Sequence, residues 1–244
     1  MGLDGRRILV TGASSGIGRA LVRGYSQAGA RVWAIARRGD HLKETVVGLA
    51  PDRTHSVQGD ITDPAARQAV RDSIESWSSG IDVVVHAAGI LGPPKTPLKD
   101  YPEDVWRRVF EVNVTAVQLL HQSLSRLLGN GLDPTVIGVS SGVGRRGRAG
   151  WGMYAVSKFA LEGWLEILAD EWQDTGRVYS VNPGATATGM RAAAAPDEDP
   201  ASIPSTNDIL PVFLHLAQAD CRIPSGERLQ ARDWIGRDPW SGSG

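Results

Sequence analysis

One cysteine, Cys221, stands in 244 residues. That excludes an intrachain disulfide and a cysteine metal cluster, and it fits a reducing cytoplasm. Net charge is nearly absent: 26 lysines and arginines against 27 aspartates and glutamates leave a formal −1. Nucleic acid and an anionic membrane surface are therefore not expected partners. No apolar run approaches the ~20 residues of a membrane span. The segment Met1-Gly2-Leu3-Asp4-Gly5-Arg6-Arg7 runs straight into a strand pattern, without the apolar core and cleavage site of a secretory signal. Repeats, low-complexity tracts and linkers are also missing, so one domain over residues 1–244 is expected.

What is there suits a globular protein. With 41% apolar and 22% charged residues, the chain can bury a sizeable core without staples. Short apolar runs alternate with helical patterns. Strands are expected at 7–10, 31–36, 54–58, 81–86, 135–140, 178–182 and 228–231. Helices are expected at 16–28, 40–49, 64–77, 103–128 and 154–172. Strand–helix alternation implies an α/β fold around a parallel sheet. The stretch 192–200, Ala-Ala-Ala-Ala-Pro-Asp-Glu-Asp-Pro, is the one compositional break and reads as a mobile insertion.

Thr11-Gly12-Ala13-Ser14-Ser15-Gly16-Ile17-Gly18 follows the first strand and opens the first helix. Glycines allow a tight turn and a close-lying diphosphate, and the helix N-terminus offers free N–H groups and partial positive charge. The spacing is G-x-x-x-G-x-G rather than the commoner G-x-G-x-x-G. The second strand ends Ala36-Arg37-Arg38. A carboxylate at its end would select NAD through the ribose hydroxyls, whereas arginine accepts a 2′-phosphate. NADP(H) is therefore expected over NAD(H), chiefly through Arg37, with Ser14 or Arg38 assisting. Asp40 is read as the cap of the next helix. Asp60, followed by Ile61, could accept from an adenine amino group or cap its own loop. His86-Ala87-Ala88-Gly89 ends the fourth strand, and its small residues would let backbone pass close to a cofactor. His86 has no second histidine near it in sequence, so a hydrogen-bonded strand-end imidazole is expected and no metal site.

Asn113 interrupts an apolar helical segment, where asparagine needs partners and could hold a kink or a water. Ser141 ends the fifth strand, at the carboxyl edge where open sheets bind ligands. A glycine-rich loop follows it, carrying Arg145, Arg146 and Arg148. These three read as a solvated face, or one of them could hold an acidic substrate. Tyr154 and Lys158 then stand one helical turn apart on one face. An ammonium beside a phenol favours phenolate and should lower the tyrosine pKa toward a useful range. After the sixth strand, the backbone of Pro183, Gly184 and Thr186 could meet a nicotinamide amide, with Thr188 contacting it or the diphosphate. Residues 189–206 would fold over the substrate as a lid.

Together, these residues resemble the short-chain dehydrogenase/reductase family in its compact single-domain branch. The likeness rests on the order and spacing of Thr11-Gly12, Gly16, Gly18, Asp60, His86-Ala87-Ala88-Gly89, Asn113, Ser141, Tyr154, Lys158 and Pro183-Gly184. It implies a Rossmann-type doubly wound, mostly parallel sheet of about seven strands with helices on both faces. It implies reversible carbonyl–alcohol hydride transfer with NAD(P). Tyr154 would be the general acid/base, and Lys158 would assist it and bind the nicotinamide ribose. Ser141 would hydrogen-bond the substrate carbonyl, Asn113 would anchor a proton-relay water, and Asp60 would meet the adenine. Two departures stand out: the family's usual asparagines after the fourth strand are His86 and Ala87 here, and the Asp-Gly-Gly ending is missing from the final stretch.

Apolar residues spread over more than one face of the 154–172 helix, which suggests a homodimer or homotetramer joined there and along 103–128. The expected partner is a small-molecule carbonyl or alcohol. Two other readings are a non-catalytic NADP-binding sensor or scaffold, and an epimerase or dehydratase. A pure binder needs no phenol–ammonium pair, and the sequence after Pro183 is too short for the second domain of the epimerases and dehydratases.

Overall fold

In the computed structural model, residues 2–241 are described. The outer limits of the expected domain, Met1 and Gly244, lie outside them. Seven strands form one sheet in the order β3-β2-β1-β4-β5-β6-β7, every neighbouring pair parallel. They are β1 Arg7–Thr11, β2 Arg31–Ala36, β3 Thr54–Gln58, β4 Val83–His86, β5 Thr135–Val139, β6 Arg177–Asn182 and β7 Arg228–Gln230. The helices are α1 Gly16–Gln27, α2 Gly39–Val46, α3 Pro64–Glu75, α4 Glu103–Phe110, α5 Ala116–Gly129, α6 Gly152–Trp172, α7 Gly189–Ala194 and α8 Leu210–Leu216.

Strands covered on both faces need no polar side, and β1 shows this. Ile8 and Val10 enter one core with Leu21 and Tyr25 of α1 and Phe213 of α8. Leu9 between them points the other way, into a core with Ile74 of α3, Leu120 and Leu124 of α5, and Leu161 and Leu165 of α6. The chain winds outward from β1 to β3, then returns to place β4 on the other side of β1. That reversal opens a crevice at the carboxyl ends of β1 and β4. Helix α6 packs closely on the sheet: a Cβ on Gly138 of β5 would lie 2.4 Å from Leu165 Cδ1.

Several expectations need correction. The 103–128 helix is not uniform: α4 and α5 join through a π-helical turn, Glu111–Thr115, with Asn113 at its centre. An extra residue in the turn lets Asn113 aim inward without ending the helix. Asp40 does not cap α2, since Arg38 occupies the cap position and Asp40 pairs loosely with Lys43 at 3.7 Å. The 192–200 stretch is folded: α7 runs into it and a 3-10 turn, Pro200–Ser202, leaves it. Arg191 and Glu198 close it with two hydrogen bonds of 2.6 Å. β7 forms despite the altered tail and pairs with β6. On α6, Val156, Phe159 and Ile167 remain exposed, as do Trp106 and Phe110 on α4.

Candidate active site

A cleft of about 980 Å³ runs along the carboxyl edge of the sheet. Its walls hold Gly12, Ser14, Ser15, Gly16, Ile17 and Gly18, then Arg37, Arg38, Asp60 and Ile61, then Ala87, Ala88 and Gly89. The same cleft reaches Ser141, Tyr154, Lys158, Pro183, Gly184, Thr186 and Thr188. Asn113 stands just behind the wall.

The glycine turn is built for close approach. Gly12 has φ +70°, and a Cβ there would lie 2.8 Å from the Ala88 backbone. A Cβ on Gly18 would lie 2.3 Å from the Gly12 carbonyl. Thr11 staples this turn to the β4 end, its hydroxyl accepting from the Ala87 and Ala88 N–H groups at 3.0 Å each. The substitutions of asparagine by His86 and Ala87 therefore leave the strand-to-loop junction tied. Ser15 makes no side-chain capping bond, so the N-terminus of α1 stays open toward the cleft.

At the end of β2, Arg37 lies 3.9 Å from Asp60, with its side chain more than half exposed. Asp60 already accepts from the Thr62 N–H at 3.0 Å, the Thr62 hydroxyl at 2.9 Å and Arg108 at 2.6 Å. Burial pushes its carboxyl up, but these donors outweigh burial and hold it below the usual range. It caps its loop and lines the cleft at once. Sequence reasoning missed Arg108, whose position on α4 gives no local sign of Asp60. It also missed Arg19, which donates to the Ser14 carbonyl at 2.8 Å.

Tyr154 is 7% exposed. Burial pushes its phenol up to about 12, with the Ser141 hydroxyl drawing it partly back. This reverses the sign expected from Lys158. The ammonium of Lys158 lies 5.7 Å from the Tyr154 ring and donates to the Val139 carbonyl at 2.7 Å. Its own pKa falls to about 8 through burial, with Glu162 opposing. Dehydration of both groups thus exceeds their mutual attraction.

Asn113 fastens the pair from behind. Its Oδ1 accepts from the Ile90 N–H at 2.9 Å, and its Nδ2 donates to the Ile90 carbonyl at 3.0 Å and to Ser157 Oγ at 2.9 Å. Ser157 in turn donates to the Tyr154 carbonyl at 2.8 Å. One buried amide thereby locks the loop after β4 to the helix that carries Tyr154. Across the cleft, Asn182 accepts from the Gly184 N–H at 3.0 Å, and Thr188 caps α7 by accepting from Arg191 N–H at 3.1 Å. Arg232 donates to the Ala185 carbonyl at 2.6 Å.

Two readings fail here. Arg145 does not face solvent: its Nε donates to buried Glu162 at 3.1 Å. His86 is not hydrogen-bonded, since both ring nitrogens are buried without partners. It sits edge-on to Trp164 with centroids 5.7 Å apart. Glu162 escaped notice, although it continues the Tyr154–Lys158 stripe by one turn. Among the described residues, no group of three or more metal-ligating side chains occurs, and no helix is long and apolar enough to cross a membrane.

Comparison with known proteins identifies the family. Residues 6–199 match the short chain dehydrogenase family. The oxidoreductase YciK of Escherichia coli (strain K12) is 39% identical over 242 residues, spanning 97% of this chain and 95% of its own. A short chain dehydrogenase from Shigella flexneri 2a strain 301, complexed with NADP, superposes with a TM-score of 0.90 at 37% identity, covering 95% of this chain and 98% of that one. Another from Escherichia coli CFT073, complexed with NADPH, gives 0.90 at 38% identity with the same coverage.

Proposed function

Because the chain belongs to the short-chain dehydrogenase/reductase family and is an oxidoreductase of it, we propose that it interconverts a small-molecule carbonyl and its alcohol with NADP(H), Tyr154 being the general acid and base. The observation that carries this reading is the convergence of Ser141, Tyr154 and Lys158 on the wall of the cleft that begins at the glycine turn.

The residues fit the cofactor. The tight backbone turn that Gly12 and Gly18 permit, with the uncapped start of α1 facing the cleft, suits a diphosphate. Arg37 and Arg38 suit a 2′-phosphate, and no carboxylate stands at Ala36 to repel it. The NADP and NADPH complexes of the two relatives support the choice. When bound, the cofactor would supply or take the hydride at the substrate carbon. Tyr154, protonated at neutral pH, would give its proton to the carbonyl oxygen. Ser141 would donate to the same oxygen as charge develops there. Lys158 would steady the tyrosinate left behind and contact the nicotinamide ribose. Asn113 would hold the Lys158 surroundings and a relay water. Residues 189–206 would close over the substrate within one domain. The exposed apolar side chains of α4 and α6 support a homodimer or homotetramer.

Tyr154→Phe tests the assignment. It should lower ketone-dependent NADPH oxidation by about a thousandfold or more, while calorimetry shows NADPH still bound. Undiminished turnover would refute it. Equal affinity for NAD and NADP would remove the cofactor preference.

A further inference from the structure

The cleft is far more basic than the protein. Seven arginines and Lys158 line it, against one carboxylate, Asp60, although the whole chain carries a formal −1. Arg19, Arg37 and Arg38 belong to the cofactor end. Four others, Arg146, Arg148, Arg191 and Arg232, line the end that holds Ser141 and Tyr154. Two of these are committed: Arg191 to Glu198, and Arg232 to the Ala185 carbonyl. Arg146 and Arg148 are exposed on the loop between Ser141 and Tyr154 and enter no ion pair or side-chain hydrogen bond among the described residues. Beside them Trp151 lies against Tyr154, ring centroids 5.9 Å apart, and Leu91 and Met190 complete an apolar wall.

We propose that the substrate is an anionic carbonyl compound, its carboxylate or phosphate held by Arg146 and Arg148 while an apolar segment lies on Leu91, Trp151 and Met190. This rests on the carbonyl–alcohol reading above and adds the substrate class. Guanidinium groups bind both anions through paired N–H donors. The test is a ketone series of one chain length ending in methyl, carboxylate or phosphate monoester, assayed with NADPH. The anionic members should exceed the methyl ketone by on the order of tenfold or more in kcat/KM. Arg146→Gln with Arg148→Gln should erase that preference, with NADPH affinity and Tm reporting an intact fold. Equal use of the methyl ketone, or a preference that survives the double variant, overturns the proposal. The ranking of carboxylate against phosphate tells which anion the site takes. Calorimetry with the matching saturated compounds, which lack the carbonyl, separates the two readings. Anion-selective binding without turnover would sink the carbonyl–alcohol reading alone, and turnover without anion selectivity would sink the substrate class alone.

A different observation carries a second inference. Glu162 is 4% exposed. It accepts from Ser140 at 2.5 Å, Ser180 at 2.6 Å and Arg145 at 3.1 Å, and lies 3.2 Å from Arg228 of β7. It therefore ties the residue beside Ser141, the substrate-side loop and two strands to α6, one turn after Lys158. The charged and titratable groups around it are Lys158 and Glu166, each one turn away on its own helix, Arg145 from the loop, and Arg228 of β7, which also meets Glu166 at 2.8 Å. We infer that Glu162 is a positioning residue that keeps Lys158 protonated beside Tyr154. Glu162→Gln should move the alkaline limb of the ketone-reduction profile down by about one pH unit, and Glu162→Asp should restore it. Arg145→Gln, which leaves the carboxylate less compensated, should move the limb upward. A limb that stays put in both variants leaves Glu162 a structural tie only and overturns the inference.

Discussion

The two ends of the cleft are built from different material. The cofactor end is mostly backbone: short turns leaving β1, β2 and β4, packed so closely that Gly12 and Gly18 have no room for a Cβ. The substrate end is mostly side chains on longer segments, pinned by ion pairs between Arg145 and Glu162, Arg191 and Glu198, and Lys95 and Asp197. Backbone packing restricts residue type at fixed spacing. Ion pairs between distant residues restrict much less. One end is therefore rigidly specified, and the other can be retuned by loop substitutions without disturbing the sheet.

The largest effect should come from breaking the rigid end. Gly18→Val would push side-chain carbon into the Gly12 carbonyl, so NADPH affinity should fall by about a hundredfold or more, read by calorimetry. Gly147→Ala is its counterpart on the substrate side, because a Cβ there meets nothing within 4 Å. It should leave affinity and turnover as they were. If both variants bind NADPH equally well, the contrast between the two ends fails.

Next in size is cofactor choice. If the proposed preference for NADP over NAD holds, Arg37→Ala should reduce it by roughly ten- to a hundredfold, mostly through weaker NADP binding. Arg37 is only loosely held, 3.9 Å from Asp60, while Arg108 takes the closer place on that carboxylate at 2.6 Å. Arg37 can thus turn to a phosphate without stranding Asp60. An unchanged ratio would transfer the role to Arg38 or Arg19.

This contrast also explains what the sequence could reveal. The glycine turn, Ala36-Arg37-Arg38, Ser141 and Tyr154 with Lys158 were legible because each follows a strand end or a helical repeat. The sheet was legible because strands buried on both faces read as unbroken apolar runs. Arg145 was misread because its partner, Glu162, comes from another element and is recognisable only once α6 lies against β5. Asn113 signalled a local disturbance, but the π-helical turn that relieves it depends on contacts with Ile90 and Ser157 across the fold. The Tyr154 pKa was misjudged because spacing shows the nearby charge and hides the burial.

His86 extends the comparison to stability, with a smaller effect. Burial lowers its pKa to about 3, and His121 nearby is lowered to about 4. The unfolded chain would protonate them near the ordinary histidine value of about 6.5. As pH falls, the unfolded state therefore takes up protons first. Stability is full above about pH 6.5 and declines toward the folded-state values. At pH 5 each histidine should cost roughly 2 kcal/mol. Thermal melts should show Tm falling from pH 7 to pH 5, and His86→Asn should flatten part of that slope. An unchanged slope would mean that the imidazole behind the cofactor end is already hydrated.

The smallest effect should lie at the substrate end. Glu198 meets Arg191 through two hydrogen bonds of 2.6 Å, but the ion pair is solvent-accessible, and such pairs contribute little to global stability. Glu198→Gln should leave Tm unchanged within about 2 °C. Its consequence should be local: with its carboxylate gone, Arg191 adds a free guanidinium to the cleft wall beside Met190. An anionic ketone should then bind somewhat tighter, its KM falling by less than about fivefold, while NADPH affinity stays constant. A Tm loss of more than about 5 °C would show that the 189–206 segment is structural rather than tunable. The division between a backbone-built cofactor end and a side-chain-built substrate end would then have to be redrawn at Thr188, where α7 begins.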